Sequence, residues 1–223
     1  MSFTGCNQNA NGAKPKRQLN KVEEISAPKE EKESSVQNEP NVQNEPNVQI
    51  DPNSHIDPKK EVPSSLLKQA LAYYRANFSK IKNKDILAIV DFSQHNSSER
   101  FYLIDMVTGA VDRFLVAHGK NSDKNYDGFA TEFSNIPDSL MSSQGFYLTA
   151  ESYKGKHGLS LRLDGLSKTN SNARMRDIVI HGADYVNQSA RILGRSWGCP
   201  AVEQRFIKEI VVRMKGGALL YAK

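Results

Sequence analysis

The stretch that decides the fold of this chain covers residues 177–202 and reads D-I-V-I-H-G-A-D-Y-V-N-Q-S-A-R-I-L-G-R-S-W-G-C-P-A-V. It contains Cys199, and His181 lies eighteen residues earlier, at the end of the apolar run I-V-I. The other cysteine of the 223-residue sequence is Cys6. Because a thiolate is a nucleophile and an imidazole is a base, we expect chemistry in this stretch.

Cys199 and His181 together suit acyl transfer. A free thiol has a pKa of about 8.5 and is mostly protonated at neutral pH. A neighbouring imidazole takes the thiol proton and later returns it to a leaving amine. The glycine at 198 opens the main chain, so the N–H groups of Gly198 and Cys199 are candidates to hold an oxyanion. The alternative is that Cys199 is a small buried apolar residue and His181 a strand-end residue with a satisfied ring.

The order His-Gly, about eighteen residues, then Ser-x-Gly-Cys resembles the signature of the L,D-transpeptidase (YkuD-like) family, which remodels bacterial peptidoglycan. More narrowly, the segments I-V-I-H-G-A-D-Y-V and G-R-S-W-G-C-P-A-V are similar to the murein L,D-transpeptidase catalytic domain branch. Residues 145–149 (G-F-Y-L-T) and 154–166 also resemble that branch. The resemblance covers roughly residues 85–221 and implies an L,D-transpeptidase-like β-sandwich with the active site under the Ser-x-Gly-Cys loop.

The resemblance also implies roles for single residues. It makes Cys199 the nucleophile and His181 the base, with the backbone carbonyl of Gly182 orienting the imidazole. Ser196 matches the serine that shapes the loop, and Gly198 matches the motif glycine. No cofactor is implied.

Two positions depart from the wider family pattern. Trp197 stands where many members have a second histidine, and Pro200-Ala201 stands where many have an aliphatic residue followed by arginine or asparagine. Trp197 is therefore a candidate for substrate binding in place of a polar side chain. Tyr147, in the G-F-Y-L-T segment, is a further candidate.

Cations near the motif are candidates to bind a substrate carboxylate. Arg174 and Arg176 precede the strand predicted over residues 178–180. Arg195 lies in the loop around Cys199, residues 194–200, here called the cysteine loop. A guanidinium binds a carboxylate through two parallel hydrogen bonds, as a diaminopimelate-containing stem peptide would require. His118 ends another predicted strand, before a polar loop, and we expect it at the substrate cleft.

A zinc site is the alternative use of these side chains. His118, His157, His181 and Cys199 are of the right residue types. No closely spaced pair such as H-x-x-x-H or C-x-x-C anchors such a site, so we predict no metal.

The first 63 residues differ in composition from the rest. They contain one aromatic residue, Phe3, and are rich in Pro, Asn, Gln, Glu, Lys and Ser, with the hexapeptide V-Q-N-E-P-N repeated at Val36 and Val42. Such a segment buries too little apolar surface to offset the entropy of ordering. We predict a disordered tether over residues 1–63 and a catalytic domain over residues 64–223.

Phe-Thr-Gly-Cys at residues 3–6 resembles a bacterial lipobox, which would make Cys6 an acylated anchor in the outer membrane. The five residues before Cys6 are too short for a signal peptide, so this interpretation needs a start upstream of Met1. With the resemblance it predicts an envelope location, periplasmic or secreted.

Charge follows the same boundary. Residues 1–63 carry 8 Lys+Arg and 10 Asp+Glu, and residues 64–223 carry 22 and 15, giving net charges of −2 and +7. A basic surface suits polyanions, but the sequence lacks the aromatic and basic interleaving of a nucleic-acid binder. We therefore predict peptidoglycan stem peptides as partners and no nucleic acid. The oligomeric state is left open.

Periodicity predicts a mainly β domain with a few helices. An apolar stripe from Leu66 to Ile81 predicts a helix that starts near Ser64 or Ser65, and residues 203–214 predict a second. Predicted strands cover residues 85–91, 100–106, 110–117, 145–150, 160–163, 178–180 and 218–221.

The predicted function is that of a cysteine acyltransferase that remodels peptidoglycan through a thioester, with L,D-transpeptidase or L,D-carboxypeptidase activity. A tethered, non-catalytic cell-wall-binding module is the first alternative, motivated by Trp197 and Pro200-Ala201. A cysteine peptidase of a different fold is the second.

Overall fold

The computed structural model describes residues 54–223, which form two helices and one sheet of nine strands. Helix α1 (Ser64–Ala76) follows the predicted apolar stripe and buries Leu66, Ala70 and Tyr74. It ends at Ala76, before Ile81. Its N-cap is Pro63, whose ring carries no donor or acceptor, so no side chain caps the start of the helix.

The folded part begins before Ser64, which corrects the predicted domain boundary. Ile56 and Val62 are buried in the same apolar cluster as Leu66 of α1. The carboxylate of Asp57 accepts the backbone N–H of Glu61 (2.8 Å) and of Val62 (2.9 Å). These bonds fix the approach to α1. The rest of the predicted tether, with Cys6 and the hexapeptide repeat, lies outside the described residues.

The strands are β1 (Ile86–Val90), β2 (Phe101–Asp105), β3 (Val111–Phe114), β4 (Val116–Ala117), β5 (Gly145–Gly155), β6 (Gly158–Gly165), β7 (Val179–Ala183), β8 (Ala201–Glu203) and β9 (Leu219–Ala222). Helix α2 (Ile207–Met214) lies between β8 and β9, and a 3-10 turn (Lys120–Ser122) follows β4. Helix α2 therefore begins four residues after the predicted start at residue 203. Glu203 ends β8, and residues 204–206 form a turn before the helix.

The sheet closes on itself. Its order is β3-β2-β1-β9-β5-β6-β7-β8-β4, so β3 and β4 form its two edges. Only Leu115 separates these strands in the chain, and consecutive Cα atoms are about 3.8 Å apart. The end of one edge strand therefore meets the start of the other, which brings the two edges of the sheet together and folds it into two facing layers. The prediction of a mainly β sandwich is confirmed.

Both faces of the sheet are covered, as β1 illustrates. Ile86, Ala88 and Val90 lie in the inner cluster, which α2 also joins, while Leu87 and Ile89 lie in the outer cluster with α1. A strand covered on both faces is apolar throughout, which explains the unbroken run I-L-A-I-V.

The strands β7 and β8 position the candidate site. They are parallel neighbours, with His181 paired to Ala201. Cys199 lies two residues before Ala201, so this register brings it alongside Val179, two residues before His181. The eighteen-residue spacing in sequence thus becomes a contact between neighbouring strands.

Candidate active site

The thiol of Cys199 is half-buried at the N-terminal end of β8. Its Sγ lies 3.5 Å from the backbone carbonyl of Asp177, to which the thiol donates. Burial raises the pKa of Cys199, while a hydrogen bond from the Val179 N–H and the charge of Arg176 oppose the rise. The thiol is therefore protonated at neutral pH, and nucleophilic attack requires a base.

His181 lies in β7 with only 2% of its surface exposed. Its Nδ1 is 3.0 Å from the carbonyl oxygen of Gly182, which can only accept, so Nδ1 carries the proton and Nε2 the lone pair. Burial lowers the pKa of His181, and the nearby His157 lowers it further, while the bond to Gly182 raises it. The ring is thus neutral and able to act as a base at neutral pH.

One cavity of about 230 Å³ brings the thiol and the imidazole together. Among the residues predicted for the site, it is lined by His181, Arg195, Ser196, Trp197 and Cys199. Lys156, His157 and Tyr185 complete the lining, which includes no acidic side chain.

The cysteine loop is held by its own serine and glycine. Ser196 Oγ donates to the carbonyl of Cys199 (2.6 Å) and accepts the N–H of Gly198 (3.1 Å). Gly198 has φ +124°, and a Cβ there would lie 2.7 Å from the carbonyl oxygen of Met141. The glycine thus admits a carbonyl of its own chain.

The expected oxyanion donors are only partly free. Ser196 Oγ occupies the N–H of Gly198, which corrects the expectation that this group faces a substrate. The N–H of Cys199 has no acceptor among residues 54–223. It is the donor left for an oxyanion in this loop.

His118 supports the cysteine loop from behind and does not line the cavity, which corrects its predicted place at the cleft. Its carbonyl accepts the N–H of Ser196 (2.9 Å), and the carbonyl of Ser196 accepts the N–H of Lys120 (2.7 Å). Its fully buried ring accepts a bond from Arg100 at Nδ1 (2.8 Å) and donates from Nε2 to Asp123 (3.3 Å). Burial, followed by the charge of Arg100, lowers the pKa of His118 to about 4.

Arg174 lies away from the cavity, contrary to the predicted carboxylate clamp. It is exposed and pairs with Asp164 (Nε to Oδ1, 2.5 Å) and with Glu151 (Nη1 to Oε1, 2.9 Å). Both partners belong to the same surface. The guanidinium is therefore already satisfied by its own chain.

Arg176 is close to the thiol but directed into the fold. Its Nη1 donates to the carbonyl of Ser134 (2.6 Å) and its Nη2 to the carbonyl of Met141 (2.6 Å). Its charge acts on Cys199 and lowers the thiol pKa. Arg176 therefore holds the segment from Ser134 to Met141. Because both of its terminal nitrogens are used there, it is not free to bind a substrate carboxylate through both of them.

Arg195 is the predicted arginine that lines the cavity. Its Nη1 donates to the carbonyls of Lys120 (3.3 Å) and Asp123, and its guanidinium lies 4.3 Å from the ring centroid of Tyr126. The backbone bonds fix the side chain beside the cysteine loop.

The two aromatic candidates lie in different places. Trp197 is 72% exposed at the rim of the cavity, with Lys156 Nζ 5.5 Å from its ring centroid. Tyr147 is 2% exposed and its hydroxyl donates to the carbonyl of Ser143 (2.7 Å). Tyr147 therefore belongs to the core below the loop, which corrects its predicted contact with substrate.

Sequence reasoning missed the role of His157 and Tyr185. The ring of His157 stacks on that of His181, with centroids 4.4 Å apart and planes 24° apart. Burial, then the charge of Cys199, raises the pKa of Tyr185 to about 12. The turn K-G-K-H-G signals a hairpin, but its position over β7 depends on strand register. No group of three or more His, Cys, Asp or Glu residues fit to hold a metal is found within the described part of the chain.

Both a protein family and a set of solved structures are similar to this chain. The profile of the L,D-transpeptidase catalytic domain family (YkuD type) matches residues 58–222. No curated protein sequence matches the chain. None of the helices within residues 54–223 has the length and apolar character needed to cross a bilayer.

Solved structures of low identity are similar to part of the chain. An L,D-transpeptidase from Mycobacterium smegmatis is 11% identical (TM-score 0.39) over 62% of this chain and 58% of its own. L,D-transpeptidase 3 from Mycobacterium tuberculosis with a faropenem-derived adduct is 9% identical (TM-score 0.41) over 62% and 60%. The cell shape determining protein Pgp2 from Campylobacter jejuni is 14% identical (TM-score 0.39) over 73% and 57%.

This chain thus spans about three fifths of the length of those structures. The family profile, in contrast, extends from just before α1 to the last strand and includes the loop that holds Cys199. The chain therefore belongs to the L,D-transpeptidase catalytic domain family.

Proposed function

We propose that this chain is a cysteine acyltransferase that remodels peptidoglycan by acting on stem tetrapeptides. The observation that carries the proposal is the shared cavity of Cys199 and His181, with Nδ1 of the histidine tied to Gly182 and Nε2 left as the basic atom. Family membership supports stem peptides as the substrate class.

In the first half-reaction, His181 Nε2 takes the Sγ proton as sulfur bonds to the carbonyl carbon at the L-centre of diaminopimelate. The carbonyl oxygen becomes an oxyanion, to which the N–H of Cys199 donates. Collapse breaks the C–N bond to the terminal D-alanine, and its nitrogen receives the proton from His181. A thioester at Cys199 and free D-alanine result.

The second half-reaction returns the thiol. An amine of a second stem peptide attacks the thioester carbonyl, loses its proton to His181 Nε2, and displaces sulfur, which is reprotonated. The product is a cross-link between two stems. Water in place of the amine gives a shortened stem and a free carboxylate, which is L,D-carboxypeptidase action.

The charges around the cavity favour a substrate that carries carboxylates. Lys156 and Arg195 line it, and the lining has no acidic side chain to repel an anion. The charge of Arg176 also acts on the thiol and opposes the rise in its pKa that burial causes. Cations thus surround the position where negative charge develops on sulfur and oxygen.

Acylation by a carbapenem tests the nucleophile. Intact-mass spectrometry of the full chain should show one adduct, retained in Cys6→Ala and lost in Cys199→Ala. Cys6→Ala is the matched control because it removes the only other thiol in the sequence. An adduct that persists in Cys199→Ala contradicts the assignment.

Turnover is tested with purified sacculi, digested and resolved by chromatography after incubation with the enzyme. New dimers support transfer, and shortened stems support hydrolysis. Protein that pellets with sacculi but leaves the muropeptides unchanged supports instead the non-catalytic binding module.

An envelope location with an anchor at Cys6 remains a prediction. Labelling with a clickable fatty acid, compared with Cys6→Ala, tests it.

A further inference from the structure

The tip of the β5–β6 hairpin extends over the catalytic histidine. Gly155 pairs with Gly158, which leaves Lys156 and His157 as the turn. Gly158 has φ +73°, a conformation that favours glycine after a tight turn. Ser160 pairs with His181 in the antiparallel β6–β7 ladder, so the tip projects past His181 along β7.

An exposed imidazole therefore covers a buried one. The centroids of His157 and His181 are 4.4 Å apart and the planes differ by 24°. His157 is exposed, whereas His181 retains 2% of its surface. The base is thus held at Nδ1 by Gly182 and across one face by His157. In chain order the tip precedes the cysteine loop by about forty residues, so only the fold joins them.

The groups around the two rings give no support to a second positive charge. Lys156 comes from the same turn, while Arg195, Tyr185 and Cys199 face the rings from the β7–β8 connection. Near the thiol, Arg176 adds a further cation. The carboxylate of Asp177 also acts on the thiol, but it is paired with Arg162 at 2.9 Å.

We propose that His157 is a positioning residue for His181, fixing the plane of the base and limiting the stacked pair to one positive charge. The inference rests on the proposed function, since it assigns work to the same site. When Cys199 gives its proton to His181, a neutral His157 leaves a single cation in the stack. A second positive charge on the neighbouring ring would lie 4.4 Å from the first and would oppose this transfer.

Two substitutions separate the stacking of the His157 ring on His181 from the effect of a second imidazole. His157→Phe keeps an aromatic ring over His181 and removes the second imidazole, and His157→Ala removes both the ring and the imidazole. Since His157 is an exposed turn residue, both variants should fold, with denaturant midpoints close to that of the native chain. His55→Ala is the matched control, because His55 is an exposed histidine whose Nε2 contacts only the carbonyl of Met106.

The first readout needs no substrate. NMR titration of histidine-labelled full chain should show a lowered pKa for His181 in the native protein and in His55→Ala. We expect a single, still lowered step for His181 in His157→Phe. In His157→Ala the pKa of His181 should rise toward about 6.5, the ordinary value. Identical His181 titrations in all four proteins would overturn the proposal.

The second readout is the rate of carbapenem acylation. We expect the maximal acylation rate constant to fall about tenfold in His157→Ala, because a base that rotates freely is misplaced for proton transfer, with the half-saturating carbapenem concentration within about twofold of native. His157→Phe should recover most of the rate above pH 7. Equal rates for His157→Ala and the native chain, or no recovery by His157→Phe, would overturn the positioning role. A native protein that is not acylated refutes the proposed function instead, and the titrations still test the stack.

Discussion

Gly198→Ala should both destabilise the domain and distort the active site. Gly198 has φ +124°, where a side chain is strained, and its added Cβ would lie 2.7 Å from the carbonyl oxygen of Met141. That oxygen cannot retreat freely, because Arg176 Nη2 binds it at 2.6 Å. Backbone, rather than a flexible side chain, therefore has to move.

Two energy terms set the size of the effect. A residue held at unfavourable φ costs about 1–3 kcal/mol. Forcing an extra methyl into a packed site costs about another 1–3 kcal/mol. Gly216→Ala isolates the first term, because Gly216 has φ +86° and nothing lies within 4 Å of its added Cβ. The difference between the two variants is then the overlap alone, about 1–3 kcal/mol.

Denaturant unfolding of the native chain and both variants measures this difference, with thermal unfolding as a second measure. For a domain of this size, about 1–3 kcal/mol corresponds to a difference of roughly 2–12 °C in Tm. Carbapenem acylation should slow in Gly198→Ala and stay native in Gly216→Ala. If the two variants unfold at the same denaturant concentration, the close approach of Met141 is not a constraint and the reasoning is wrong.

Three further predictions concern charge. Because burial lowers the pKa of His181, its basic form persists on acidification, so the acid limb of acylation should have a midpoint below about 6.5, and one at or above that value contradicts the assignment. Arg174→Ala should leave both the acylation rate and the denaturant midpoint close to native, since its ion pairs are exposed and screened by solvent, whereas Arg195→Ala should raise the carbapenem concentration that gives half the maximal acylation rate. His118 has a pKa of about 4 in the fold, so the unfolded chain binds more protons between about pH 6.5 and pH 4, and the unfolding free energy should fall across that interval by up to about 1.4 kcal/mol per pH unit. His118→Asn should flatten that slope in denaturant titrations, and an unchanged slope would refute the buried neutral ring.

Sequence reasoning reached the strands and the central pair because both leave local signals. The run before His181 is continuously apolar, as a strand buried on both faces requires, and β7 forms there. The glycine beside Cys199 predicted an open main chain, and the carbonyl of Met141 approaches it closely where φ is +124°. The start of the domain was placed too late because Ile56 and Val62 are isolated apolar residues in a polar context.

The neighbours of the pair could not be predicted in the same way. Arg174 and Arg176 are two residues apart and look equivalent in sequence, yet one pairs on the surface and the other donates into the fold. Their directions depend on the turn before β7, which has no regular period. His157 meets His181 only through the pairing of β6 with β7, and β8 is too short at three residues to leave a periodic signal.

Strand β4, which follows β3 after a single residue, leads to the contact that supports the cysteine loop, so we expect this loop to form late in folding. Val116 of β4 pairs with Val202 of β8, which is distant from it in the sequence. Shortly after β4, Gly119 forms a bridge to Ser196 that holds the cysteine loop. Contacts between such distant segments form after local ones, because the intervening chain must first be brought together. A chain in which β4 has not yet paired with β8 can therefore hold Cys199 beside His181 through the β7–β8 pairing, but it lacks the bridge from Gly119 that supports the cysteine loop. Full reactivity of the thiol should therefore appear only after β4 has paired with β8.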